Sequence, residues 1–74
     1  MASYPAVTGK QAVKVLLRLG FEEKAIRGSH HMLWKEGRSI IVVPVHGNRV
    51  LPAGTLKSIL KQAGLKAADF FKAL

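Results

Sequence analysis

Apolar and polar positions recur with two different periods along this chain. From Thr8 to Leu19 the spacing is helical: Val13, Leu16 and Leu17 form a stripe that Ala12, Val15 and Leu19 widen. Thr8 with Gln11 three residues on makes a capping-box pattern, so a helix is predicted from about Gly9 to Leu19. Gly20 should end it in the left-handed conformation, with Phe21 where a Schellman motif makes its apolar contact. Residues 1–7 contain Pro5 and no period, and are expected to be a loose lead-in.

From Phe21 to Pro44 the period shortens. Glu22 to Arg27 reads as a first strand, His30 to Lys35 as a second and Ser39 to Val43 as a third, with Glu36-Gly37-Arg38 as a hairpin turn. Gly28 marks a turn or bulge, because glycine reaches the required dihedrals cheaply. Ile40 to Val43 is apolar on both faces, which requires a central strand or a second side covered by another molecule. Helices in so small a domain cover one face only, so the second side points to a protein partner. Pro44 closes the ladder, having no N–H to give.

After a turn-rich stretch from Val45 to Leu51, Leu56, Ile59, Leu60 and Ala63 fall at i, i+3, i+4 and i+7. They predict a helix from Pro52 or Ala53 to Ala63, stopped by Gly64 and Leu65 as Gly20 and Phe21 stop the first. A short third helix, about Ala67 to Ala73, should anchor Phe70, Phe71 and Leu74 on the core. The expected architecture is α+β: one small domain over residues 1–74, in the order α-β-β-β-α-α, with a three-stranded antiparallel sheet and helices on one face.

Composition narrows the partners. The chain has 74 residues and no cysteine, so disulfides and thiolate metal sites are excluded. Twelve Lys and Arg against four Asp and Glu give a formal charge of +8. That excess favours an anionic partner, nucleic acid first. Lys10, Lys14 and Arg18 share one face of the first helix with no acid between them, and Lys57 and Lys61 share the outer face of the second. Like charges at that spacing cost roughly 0.2–0.5 kcal/mol per pair, so a polyanion-binding role stands beside the plain solvated face. The N-terminus lacks a basic start and an apolar run, so no signal peptide is expected. The longest unbroken apolar run, Ile40 to Val43, is far below the ~18 residues of a membrane span. The expected location is the cytoplasm.

Gly28-Ser29-His30-His31 is the block that packing explains least. Adjacent strand residues point to opposite faces, so the two imidazoles cannot serve one site. Periodicity groups His30 with Met32 and Trp34, and His31 with Leu33 and Lys35, without saying which set meets the helices; Trp34 is expected to pack inward. Three readings compete: histidines satisfied structurally, a metal site with His46, and acid–base catalysis. Metal is disfavoured, because His30 and His31 diverge and no thiolate assists. A Ser-His-Asp set is not credible with Asp69 alone in the last helix, and Gly9-Lys10 lacks the rest of a phosphate loop. RNA cleavage needs neither metal nor cofactor: the 2′-hydroxyl is a built-in nucleophile, one histidine moves its proton, and lysines and arginines steady the phosphorane.

Gly28-Ser29-His30-His31, Val43-Pro44-Val45-His46-Gly47-Asn48, Pro52 and Gly54-Thr55-Leu56-Lys57-Ser58-Ile59-Leu60-Lys61-Gln62-Ala63-Gly64-Leu65 together resemble the HicA toxins of bacterial HicA–HicB toxin–antitoxin pairs. Gly9-Lys10 and Leu19-Gly20-Phe21 match as well, so the resemblance spans Gly9 to Phe71. It implies a fold like a double-stranded-RNA-binding domain and a metal-independent, ribosome-independent mRNA endoribonuclease. The family's essential histidine falls on His30, with His31 second choice, Ser29 supporting and Gly28 shaping the strand start. It implies a HicB-like antitoxin, acidic in character, and promoter DNA bound only through the complex. Ala53, between Pro52 and Gly54, departs from the Pro-Gly-Thr of many relatives and alters the helix start slightly. Lys10, Lys14, Arg18, Arg27, Lys57 and Lys61 are the candidate phosphate contacts. The rivals are a module of the same fold that holds RNA without cutting it, and a DNA-binding or protein-interaction domain.

Overall fold

The structure, a computed structural model, describes residues 4–74. Its elements are α1 (Gly9–Arg18), β1 (Glu22–Arg27), β2 (His30–Trp34), β3 (Ile41–Pro44), α2 (Ala53–Ala63) and α3 (Ala67–Lys72). The strands form one antiparallel sheet in the order β1-β2-β3, with the helices on one face, as the pattern predicts.

The helix ends follow local chemistry. Gln11 N–H donates to Thr8 Oγ1 at 3.1 Å while Gln11 Oε1 accepts from Thr8 N–H at 2.9 Å, closing the capping box reciprocally. At the other end Phe21 N–H reaches Leu16 O at 2.9 Å and Gly20 N–H reaches Leu17 O at 3.2 Å, the Schellman pairing. Leu65 and Gly64 repeat it on Leu60 O and Lys61 O.

Leu33 of β2 and Ile41 and Val43 of β3 are fully buried against Val13, Leu16, Leu56, Ile59 and Phe70. The register pairs Leu33 with Ile41 and His31 with Val43, so His31 shares the helix-covered face. His30, Met32 and Trp34 therefore project from the open face. Trp34, expected to pack inward, instead lies half-buried on the open side under Lys24, whose Nζ stands 4.6 Å from the ring centroid.

β3 is the edge strand that the predicted order implies, and its second side is uncovered within the chain, with Ile40 and Val42 54% and 42% exposed. Three other expectations change. Leu17 is 45% exposed. At about 100° per residue it falls beyond Val13 towards Lys10, off the arc that meets the sheet. Leu74 is exposed too, leaving Phe70 as the buried anchor of α3, in edge-to-face contact with Phe71. The lead-in is not loose where it is described: Val7 is 1% exposed in the core, its carbonyl accepts from Leu51 N–H at 2.7 Å, and Tyr4 packs against Phe71 with the rings tilted at 59°. Residues 1–3, the rest of that segment, lie outside the described residues.

Candidate functional site

The site is built at one end of the sheet. Gly28 and Ser29 form the two-residue loop between β1 and β2, with Gly28 at φ +59°. A left-handed glycine in the first central position is the type II′ requirement, which matches the twist of the flanking strands. The loop sets Arg27 opposite His30, and on the other side His30 is paired with Pro44. Arg27, His30 and Pro44 thus form one row across the open face. His30 is exposed in that row, and the ring is within reach of a ligand from solvent. Ser29 contributes through its backbone: its carbonyl accepts from Val45 N–H at 2.6 Å, tying the start of β2 to the exit of β3. α1 begins against the same end, where a Cβ on Gly9 would overlap the Pro44 carbonyl.

His31 has a different environment. Its Nδ1 lies 2.6 Å from Glu23 Oε2, with the two side chains 23% and 31% exposed. A carboxylate only accepts, so in this contact Nδ1 is the donor. The pairing depends on a bulge: the β1–β2 register slips between Glu23 and Ala25, leaving Lys24 without a partner. The extra residue turns Glu23 onto the face that also carries Ile26 and His31. A bulge of this kind leaves no mark in the apolar pattern, which is why Glu23 was not singled out from sequence.

Only part of the predicted cationic set stands with His30. Arg27 is its immediate neighbour, and Lys24, outside that set, sits over Trp34 on the same open face. Lys10, Lys14, Lys57 and Lys61 are exposed on the helical layer, which covers the opposite face. Arg18 is held at the C-terminus of α3, where its Nη1 donates to Ala73 O at 2.8 Å. Among the described residues the one ion pair is His31 with Glu23, so the lysines and arginines there carry no carboxylate partner. His46, considered only as a metal ligand, and Arg49 were missed as a pair. They line a cavity of about 230 Å³ that begins at Pro44. Among the described residues no group of three His, Asp or Glu side chains is placed to hold a metal ion, and no helix is long and apolar enough to cross a membrane.

A search of curated proteins found no match. Residues 9–65, more than half of the chain, match the family described as the HicA toxin of bacterial toxin–antitoxin systems. That span runs from the first residue of α1 through the stop of α2, and takes in the Gly28-Ser29 loop, the Arg27–His30–Pro44 row and the loop after β3. The match covers most of the chain and the fold is consistent with it: the chain belongs to the HicA toxin family.

Proposed function

We propose that this toxin is a metal-independent endoribonuclease that cleaves mRNA in the cytoplasm, with His30 as its acid–base residue. The observation that carries the reading is the exposure of His30 on the open sheet face, in line with Arg27 and fixed by the Gly28-Ser29 loop. The imidazole takes the proton of a ribose 2′-hydroxyl, whose oxygen then attacks the adjacent phosphorus. The phosphorus–5′-oxygen bond breaks, the leaving oxygen takes up the proton that His30 now carries, directly or through water, and a 2′,3′-cyclic phosphate remains on the upstream fragment. Arg27 is close enough in register to steady the charge on the phosphorane. Lys10, Lys14, Arg18, Lys57 and Lys61 act at longer range, raising the local concentration of polyanion. Gly28 shapes the turn, and Ser29 holds the strand start in place.

The partner is a HicB-like antitoxin, acidic where it meets this +8 chain. Ile40 and Val42 offer it uncovered apolar surface on the side of the sheet that carries His30. Promoter DNA is contacted only in that complex.

A second reading has one observation in its favour: His31 has the carboxylate partner that often orients a catalytic imidazole. Replacing each histidine separately decides between them. His30→Ala is expected to abolish cleavage of a single-stranded RNA while leaving its affinity and the melting temperature intact; His31→Gln is expected to keep cleaving. A His30→Ala chain that cuts like the native one overturns the assignment. Competition between RNA and duplex DNA at fixed salt tests the DNA-binding rival, which predicts that the duplex wins.

A further inference from the structure

The loop after β3 holds a cationic cavity that the catalytic row does not use. Arg49 N–H donates to His46 O at 3.0 Å, and Gly47 takes φ +56° between them, so the two side chains stand side by side on one turn. The turn is staked at both ends. Val45 N–H is bound to Ser29 O at 2.6 Å, and Leu51 N–H to Val7 O at 2.7 Å, with Val50 bridged to Thr8. The resulting cavity, about 230 Å³, offers His46, Arg49 and the half-buried Thr55 between the apolar walls of Pro44, Val50 and Pro52. No acidic residue lines it.

We propose that this cavity is a subsite for the nucleotide next to the scissile one, with Arg49 pairing to its phosphate and His46 and Thr55 hydrogen-bonding to phosphate or ribose oxygens. This deepens the endoribonuclease reading and rests on it. Three features carry the assignment. Pro44 is at once the β3 partner of His30, about 5 Å away across the ladder, and a wall of the cavity, so the cavity opens beside the row. The volume lies below the ~300–1,000 Å³ of clefts that enclose drug-sized ligands, which suits one sugar-phosphate unit. Arg49 is free of any carboxylate among the described residues, and its guanidinium matches a phosphate in two-pronged geometry. Apolar walls with a few converging donors fit a nucleotide unit better than a bare inorganic anion.

The test uses the full chain carrying His30→Ala, with a short single-stranded RNA as probe. Arg49→Gln in that background is expected to weaken binding about tenfold, the scale of one lost charge-assisted contact. The slope of log affinity against log salt should fall by about 0.7, the single-strand value for one phosphate. Lys66→Gln, a surface cation remote in sequence and absent from the cavity lining, serves as the control. A series of RNAs, each with one methylphosphonate linkage, then locates the contact: the Arg49 penalty should vanish for a single linkage beside the cleaved one. Arg49→Gln costing no more than Lys66→Gln, or a penalty indifferent to every linkage, overturns the subsite. The His30→Ala background also keeps the two claims separate. Cleavage persisting in it defeats the catalytic reading, while the binding series still decides the subsite.

Discussion

Glu23 and His31 meet at 2.6 Å although the register sets them opposite different partners, Leu33 and Ile26. The bulge at Lys24 makes the contact possible by returning Glu23 to the helix-covered face. The pair is partly solvated, so its own worth is under about 1 kcal/mol. Glu23→Gln is expected to lower stability by no more than that in urea unfolding, and to leave the cleavage rate within about twofold, since His30, the proposed acid–base residue, projects from the other face. A rate loss of ten-thousandfold, the penalty for misorienting a carboxylate-held catalytic imidazole elsewhere, would move the chemistry to His31.

The same substitution should act with opposite sign at two helix starts. Gly9 opens α1 against β3, where a methyl group has no room beside the Pro44 carbonyl. Gly9→Ala is expected to cost about 1–3 kcal/mol or more, the scale of an overpacked contact, because the obstacle is backbone. Gly54, in the first turn of α2, has nothing within 4 Å of a Cβ and no left-handed φ. Gly54→Ala is expected to stabilise by about 0.4–1 kcal/mol through the unfolded chain. Chemical denaturation of both variants checks the pair.

These contrasts mark where sequence is informative. Each strand and helix was legible to within one or two residues, because the capping box at Thr8, the glycine stops and the apolar periods are local signals. The choice between the faces of β2 was not. Alternation separates His30 from His31, but only packing against α1 and α2 decides that Leu33, and hence His31, turns inward. The open side of β3 was legible as well, because an apolar run at the end of a three-stranded order finds nothing in so small a chain to cover its second face. His30 and Arg27 could both be nominated from sequence; that they stand side by side, and that a cavity forms at Arg49, emerge only from register and from a folded turn.

Leu16 and Leu17 offer a direct test of where the stripe of α1 ends. Leu16 is sealed in the core while Leu17 stands beside the lysine face. Leu16→Ala is expected to cost about 2–5 kcal/mol, enough to unfold a large share of so small a domain. Leu17→Ala should stay within about 0.5–1 kcal/mol, since little of its surface is withdrawn from water. Equal losses in thermal melts would mean that α1 is rotated from the position described.

Trp34 gives the open sheet face its own reporter. It is the one tryptophan of the chain and lies on the same side of β2 as His30, with Met32 between. Four strand steps place the two residues about 13 Å apart, a span that a few nucleotides of extended RNA cover. Lys24 sits over the ring, an attraction of about 0.5–1 kcal/mol at an exposed site, and a phosphate competing for that ammonium would uncover the indole. A base stacking on the ring would quench it directly, with a gain of ~1–3 kcal/mol. Titrating single-stranded RNA of about six nucleotides into the His30→Ala chain is therefore expected to change Trp34 emission saturably. Lys24→Gln should raise the response, because the ring is then open from the start. RNA held instead by the lysines of α1 and α2 would bind with no change in emission, and that outcome would move the substrate from the sheet to the helical layer.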